Sequence, residues 1–186
     1  MPAVNRGTLS QIPGRFAVSH SDMDDAPVNR PTRYHREQAK SLIMTNRSPD
    51  LPFEQSINPY RGCEHGCIYC YARPNHAYVD LSPGQDFESE IFCKDNAAEV
   101  LRDSLRKPGY RCRPIVLGTV TDPYQPIERE RRITRELLQV LVDSQHPFSL
   151  ITKSTLVLRD LDLIAPMARR GRASVAVSVT TLDNRL

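Results

Sequence analysis

Residues 114–179 read PIVLGTVTDPYQPIERERRITRELLQVLVDSQHPFSLITKSTLVLRDLDLIAPMARRGRASVAVSV, and this stretch decides the fold. Three short apolar runs, at 114–118, 148–152 and 173–179, have the composition of parallel strands buried on both faces. Between them the apolar period changes to that of a helix. Ile133, Leu137, Val140 and Leu141 mark one helix over 127–144, and Leu161, Ile164 and Met167 another over 158–170. The second ends in Arg169, Arg170 and Gly171, the residue types favoured at a helix C-terminus. Upstream, Asp95 offers an N-cap to a helix carrying Ala97, Val100, Leu101 and Leu105, and Pro108-Gly109 stops it. Residues 56–60 supply an earlier strand. Strands alternating with helices specify an α/β fold with a parallel sheet and right-handed crossovers.

Outside this series the signals weaken. Residues 1–50 show no sustained period and read as a mostly irregular N-terminal arm, with a short helix around 33–42. Residues 51–186 form the core region. Within it, residues 87–94 (FESEIFCK) alternate as a strand or hairpin arm, with Cys93 on the apolar side. The series stops at Leu186 just after a strand, so the front part of a longer protein is expected.

A chain of 186 residues carries one sizeable core. Its net charge of +3 is compatible with nucleic-acid contact without arguing for it, and ordinary solvated surface is the better account. No apolar run approaches the ~18 residues of a membrane span, and the first residues hold no apolar signal segment, so a cytoplasmic location is expected. Five cysteines are present and three fall within eight positions. In a reducing compartment such a cluster reads as a metal site before it reads as disulfides.

That cluster is Cys63-Glu-His-Gly-Cys67-Ile-Tyr-Cys70, a C-x3-C-x2-C loop. Three thiolates this close can hold three irons of a 4Fe-4S cluster, whereas a fourth cysteine would close the site and confine it to electron transfer. The open iron can chelate an amine and a carboxylate, such as those of the methionyl part of S-adenosylmethionine (SAM). An electron passed into its sulfonium breaks the bond to C5′ and gives a 5′-deoxyadenosyl radical. The alternative is a structural zinc site with His65 or His76 as fourth ligand. Against it, zinc ligands usually come as two separated pairs, and no second C-x2-C or H-x3-H is present. His65 then reads as a loop residue beside the ligands and His76 as exposed.

The C-x3-C-x2-C spacing with Tyr69 before the last cysteine resembles the radical SAM superfamily. Residues 58–63 (NPYRGC) with Tyr71-Ala-Arg73, residues 118–124 (GTVTDPY) and residues 151–154 (ITKS) narrow this. Together they resemble its spore photoproduct lyase-like, or DNA-repair-photolyase-like, branch over about residues 40–186. The resemblance implies a partial (β/α) TIM-type barrel, with cluster and SAM at the C-terminal ends of the strands, truncated here after about four of them. It implies cluster ligation by Cys63, Cys67 and Cys70 and contact of Tyr69 with the adenine. Many relatives hold the methionyl amine with Gly-Gly-Glu. That motif is absent here, and Thr121 and Asp122 stand in its place, although capping the next turn is an equal use for Asp122. Lys153 resembles a lysine that pairs with the SAM carboxylate, with solvated surface as the other reading. Ser178 is placed to touch the ribose or methionyl group.

As partners the resemblance implies an external one-electron reductant of flavodoxin or ferredoxin type, no membrane, and a substrate not written in the sequence, with DNA available by family analogy only. A non-catalytic iron–sulfur or zinc module and a nucleic-acid-binding protein are the rivals from other classes. The Arg-rich segment 129–135 could meet phosphate, but with Glu128, Glu130 and Glu136 interleaved it reads as a salt-bridged exposed face. Cys112, between Arg111 and Arg113, is a weak hint of a reactive thiol.

Overall fold

A computed structural model of the chain describes residues 30–182. The first strand, β1 (Arg33–Glu37), is followed by β2 (Met44–Thr45), β3 (Gln55–Ile57) and β4 (Tyr60–Arg61). After the cysteine loop and a 3-10 segment (Arg73–Val79) come a single helical turn, α1 (Asp86–Ser89), and β5 (Glu90–Lys94). Then α2 (Ala97–Arg106), β6 (Ile115–Leu117), α3 (Glu128–Arg131), α4 (Ile133–Asp143) and β7 (Phe148–Thr152) follow. A second 3-10 segment (Thr155–Asp160), α5 (Leu161–Arg169) and β8 (Ala173–Val177) end the series.

Five strands form one sheet in the order β2-β3-β6-β7-β8, and β3, β6, β7 and β8 run parallel. Among the described residues this sheet is open, not closed into a barrel. It is the expected α/β architecture with four parallel strands. The strand β6 is buried at every residue, which is why its sequence is a continuous apolar run. Ile57, Ile115, Leu117 and Leu150 from the sheet meet Leu101 of α2 and Leu137, Leu138 and Leu141 of α4 in one core. The helix α2 packs on α4, and α4 on α5. No helix among the described residues is long and apolar enough to cross a membrane.

A smaller sheet, β1-β5-β4, stands beside the first and frames the entry to the cysteine loop. Residues 56–60 do not make one strand: Ser56–Ile57 belong to β3 in the large sheet, and Tyr60 starts β4 in the small one. Pro59 between them has no N–H for a ladder, so the break falls there. Gly62 then turns the chain at φ +78°, where a Cβ would sit 3.0 Å from the carbonyls of Phe87 and Glu90. Only glycine fits this approach.

Further expectations are corrected, among them the strand over 87–94: its first three residues belong to the helical turn α1, and β5 begins at Glu90. The segment around 33–42 contains a strand, not a helix: β1 pairs in parallel with β5 from Arg33↔Glu90 to Glu37↔Lys94. Tertiary pairing there outweighs a weak local helical signal. The helix over 127–144 is broken at Arg132, which is left-handed at φ 54°. The buried Glu128 carboxylate causes the break by accepting the N–H groups of Thr134 (3.0 Å) and Arg135 (3.3 Å), starting α4 afresh. Residues 129–132 are exposed, as expected, but the half-buried Arg135 guanidinium pairs with none of the interleaved glutamates. It reaches Asp160 at 2.8 Å and Asp162 at 2.7 Å on another element. The last strand, β8, reads as a buried type but lies at the sheet edge, with Val175 and Val177 exposed. The N-terminal arm lies outside the described residues up to residue 29, and residues 30–50 carry β1 and β2.

Candidate functional site

The cysteine loop sits against the C-terminal ends of the parallel strands and is fixed from several sides. Cys63 is buried and donates its N–H to the Phe87 carbonyl at 2.9 Å. Gly66 N–H reaches the Cys63 carbonyl (3.4 Å) and Cys70 N–H the Cys67 carbonyl (3.2 Å), so the loop advances in tight turns. The Gly62 carbonyl accepts the Thr121 hydroxyl at 2.6 Å, and Gln125 Oε1 accepts Glu64 N–H at 3.1 Å. On the outer side the Glu64 carboxylate accepts the hydroxyls of Thr32 (2.8 Å) and Tyr34 (3.0 Å). Asn58 closes the base: its Nδ2 donates to Thr119 Oγ1 (3.1 Å), and its Oδ1 accepts Val120 N–H (3.0 Å).

All five cysteines are free thiols. Cys67 and Cys70 are half-buried, and Cys70 packs against the small apolar cluster of Cys63, Ala72 and Phe87. Burial pushes the Cys63 thiol up to about 12, opposed by backbone hydrogen bonds from Asp122 and His65 that favour its thiolate. Among the described residues no three His, Cys, Asp or Glu side chains gather at one point, so the three thiols do not converge in this structure. Cys93 is buried in the main core, as its alternation predicts, and Cys112 is exposed.

The remaining candidate residues form one connected set beside the loop. Asp122, in the loop that follows β6, is buried and fully engaged. Its Oδ1 accepts Tyr124 N–H (2.8 Å) and the Thr152 hydroxyl (2.7 Å), and its Oδ2 accepts Lys153 N–H (2.7 Å). His65 Nε2 lies 3.3 Å from Oδ2. Burial works against ionisation of Asp122, but His65, Thr152 and the Lys153 N–H overturn it and hold the carboxyl below its ordinary range. Lys153, just past β7, points its Nζ to Ser178 Oγ at 2.7 Å and over the Tyr69 ring at 5.5 Å from the centroid. Tyr69 and Ser178 are exposed and Lys153 is half-exposed, so this group faces an open rim. Residues 69, 121, 122, 153 and 178 thus come together from four segments of the chain. Thr121 and Asp122 are committed to the loop and to β7, and Tyr69, Lys153 and Ser178 line the rim.

His76 is a correction. It is completely buried rather than exposed, edge-on to Phe87 (5.6 Å) and Phe92 (6.1 Å), and burial lowers its pKa to about 4. With His65 turned to Asp122, neither imidazole stands as a fourth ligand beside the thiols. Sequence reasoning assigned no role to Arg73, Gln125 or Glu64. Arg73 lies in a stretch that carries the family resemblance, but nothing local in the sequence marks Gln125 as buried.

Residues 57–186 match the Radical SAM superfamily. An uncharacterized protein of Mycobacterium tuberculosis is 44% identical over 178 residues, covering 94% of this chain and 52% of that protein, and one of Mycobacterium bovis matches equally. An uncharacterized protein of Methanocaldococcus jannaschii is 35% identical over 126 residues, covering 68% of this chain and 44% of that protein. The chain spans about half the length of the curated relatives it matches. No solved structure matches.

Proposed function

The chain belongs to the radical SAM superfamily, and we propose that its cysteine loop holds a 4Fe-4S cluster through Cys63, Cys67 and Cys70, with SAM bound between the loop and the ends of β6, β7 and β8. When bound, these groups supply reductive cleavage of SAM to a 5′-deoxyadenosyl radical that abstracts hydrogen from substrate. The donor chemistry suits the cluster: three soft sulfurs on one anchored loop, with backbone N–H groups of His65 and Asp122 aimed at the Cys63 sulfur.

The observation that carries the proposal is the position of Lys153. Its backbone is held by Asp122, its ammonium spans Ser178 and Tyr69, and the cysteine loop adjoins it. An ammonium so placed binds a carboxylate as a point charge, displacing the weaker hydroxyl contact. Tyr69, on the loop itself and exposed, offers a face to the adenine. Thr121 and Asp122 act as positioning residues, since their side chains are already occupied by Gly62 and by Thr152 and Lys153. They do not hold the methionyl amine.

The motifs at 58–63, 71–73, 118–124 and 151–154 support a relation to the spore photoproduct lyase-like branch. On that reading electrons come from a flavodoxin- or ferredoxin-type reductant, and DNA is the substrate class to test first. The decisive experiment is anaerobic reconstitution with iron and sulfide, then dithionite and SAM, with 5′-deoxyadenosine measured as product. A protein that binds the cluster and SAM yet forms none is a passive module.

A further inference from the structure

Behind the cysteine loop, residues 73–89 bury an unusual number of polar side chains: Arg73, His76, Asp86, Glu88 and Ser89 are all withdrawn from water. A buried guanidinium persists only where its donors and its charge are met. Arg73 meets both conditions. Its Nε and one Nη donate to the Cys67 carbonyl at 3.0 and 2.9 Å. The other Nη donates to the carbonyls of Gly84 (3.0 Å) and Pro83 (3.5 Å), and the Glu88 carboxylate takes the last N–H. All five N–H groups are therefore assigned, and the guanidinium also lies 5.4 Å from the Phe87 ring centroid.

From this geometry we infer that Arg73 is a positioning residue for the middle cysteine, clamping the Cys67 peptide to the 83–88 segment and so fixing where its thiol can point. The planar fork is essential. Two N–H groups converge on one carbonyl while the opposite edge reaches two others, a span that the three donors of a lysine ammonium, radiating from one nitrogen, cannot cover. Cys63 has its own backbone anchor through Phe87, and Cys70 lies within one turn of Cys67, so Cys67 is the ligand whose own carbonyl is held by a side chain. The inference rests on the reading of Cys67 as a cluster ligand, but its first consequence is visible without any cluster.

The test uses the apo chain and the reconstituted chain side by side. In apo protein, Arg73→Lys should raise the alkylation rate of Cys67 by iodoacetamide about tenfold, the effect of losing hydrogen bonds to a charged group, while exposed Cys112 reacts unchanged. After reconstitution the same variant should hold half the parent's iron or less, with an unchanged far-ultraviolet circular dichroism spectrum. Should the lysine variant not fold, Arg73→Met with Glu88→Leu removes both buried charges together, an exchange that buried ion pairs commonly tolerate. It should fold and show the same release of Cys67. Parent alkylation rates and full iron in a folded variant would overturn the inference. So would failure of both variants to fold, which would make the pair part of the core. Cys67→Ala separates the two levels: if it loads iron fully, the ligand assignment is wrong, whatever Arg73 does.

Discussion

The backbone N–H of Lys153 donates to Asp122 Oδ2 at 2.7 Å, so the carboxylate in the loop after β6 sets where the residue following β7 stands. The same carboxylate accepts the Thr152 hydroxyl and faces His65 in the cysteine loop. Three elements of the site are thereby referred to one buried group.

If Lys153 receives the SAM carboxylate, Lys153→Ala should weaken SAM binding by about tenfold, in the range of a partly desolvated charge pair. Iron content should stay at the parent level. Equilibrium binding of SAM to the reconstituted protein measures the first, and iron analysis the second. An unchanged affinity returns Lys153 to the solvated surface.

The three loop cysteines share one anchored loop, whereas Cys93 lies in the main core and Cys112 on the exposed surface. Reconstituted parent should carry about four irons and four sulfides. Cys63→Ala, Cys67→Ala and Cys70→Ala should each lose the chromophore, and Cys93→Ala and Cys112→Ala should keep it. Stoichiometric zinc in place of iron would make this a structural metal site.

Gly118 follows β6 at φ +94°, and a Cβ there would lie 2.3 Å from the Ile151 carbonyl oxygen of β7. Backbone cannot step aside as a flexible side chain can. Gly118→Ala should therefore cost roughly 2–4 kcal/mol in urea unfolding, well beyond an ordinary glycine replacement. Gly109, with open space around its Cβ position, also has positive φ, so Gly109→Ala should show only the smaller backbone term. Equal losses at the two sites would remove the close approach as the cause.

Asp160 is buried, and Arg159, Arg135 and Tyr124 direct hydrogen bonds to it, with Glu128 sharing Arg159. Burial opposes its ionisation, but the two arginines and the phenol hold its carboxyl below the usual range. A carboxyl depressed in the folded state stabilises above its unfolded pKa of about 3.9, and that stability drains away as pH falls through the folded value. Asp160→Asn should thus flatten the acid limb of a stability-against-pH curve while lowering stability near neutrality. A parallel shift of the whole curve would exclude the linkage.

The outer edge of β8 carries Val175 (36% exposed) and Val177 (57%), and Val179 (65%) lies just beyond it. As an isolated polypeptide, residues 1–186 should bind a hydrophobic dye, and Val177→Lys should reduce that binding. Dye binding unchanged by the substitution would place the apolar surface elsewhere.

Much of this architecture is legible in the sequence because its parallel strands are buried. The runs IVL and FSLIT can be little else once helices of the right length separate them. The cysteine spacing is equally direct. The small sheet is not legible: β1 pairs with a strand more than fifty residues away, and RYHRE has no apolar alternation to announce it. The break at Arg132 depends on Glu128 being buried under Arg159 and Tyr60, a tertiary fact with no local trace. At the site, residue types pointed to Lys153 and Asp122, but only packing shows that one holds the other in place.

The clamp of Thr32 and Tyr34 on Glu64 has a consequence for the order of synthesis. The strand that carries the clamp leaves the ribosome first but has no partner until Glu90–Lys94 has been made. Through that interval the three loop thiols emerge without their outer brace, and at ordinary elongation rates of ~5–20 residues per second the gap lasts seconds. On the proposed cluster assignment, the fully braced loop exists only after β5 has been made and β1 can pair with it.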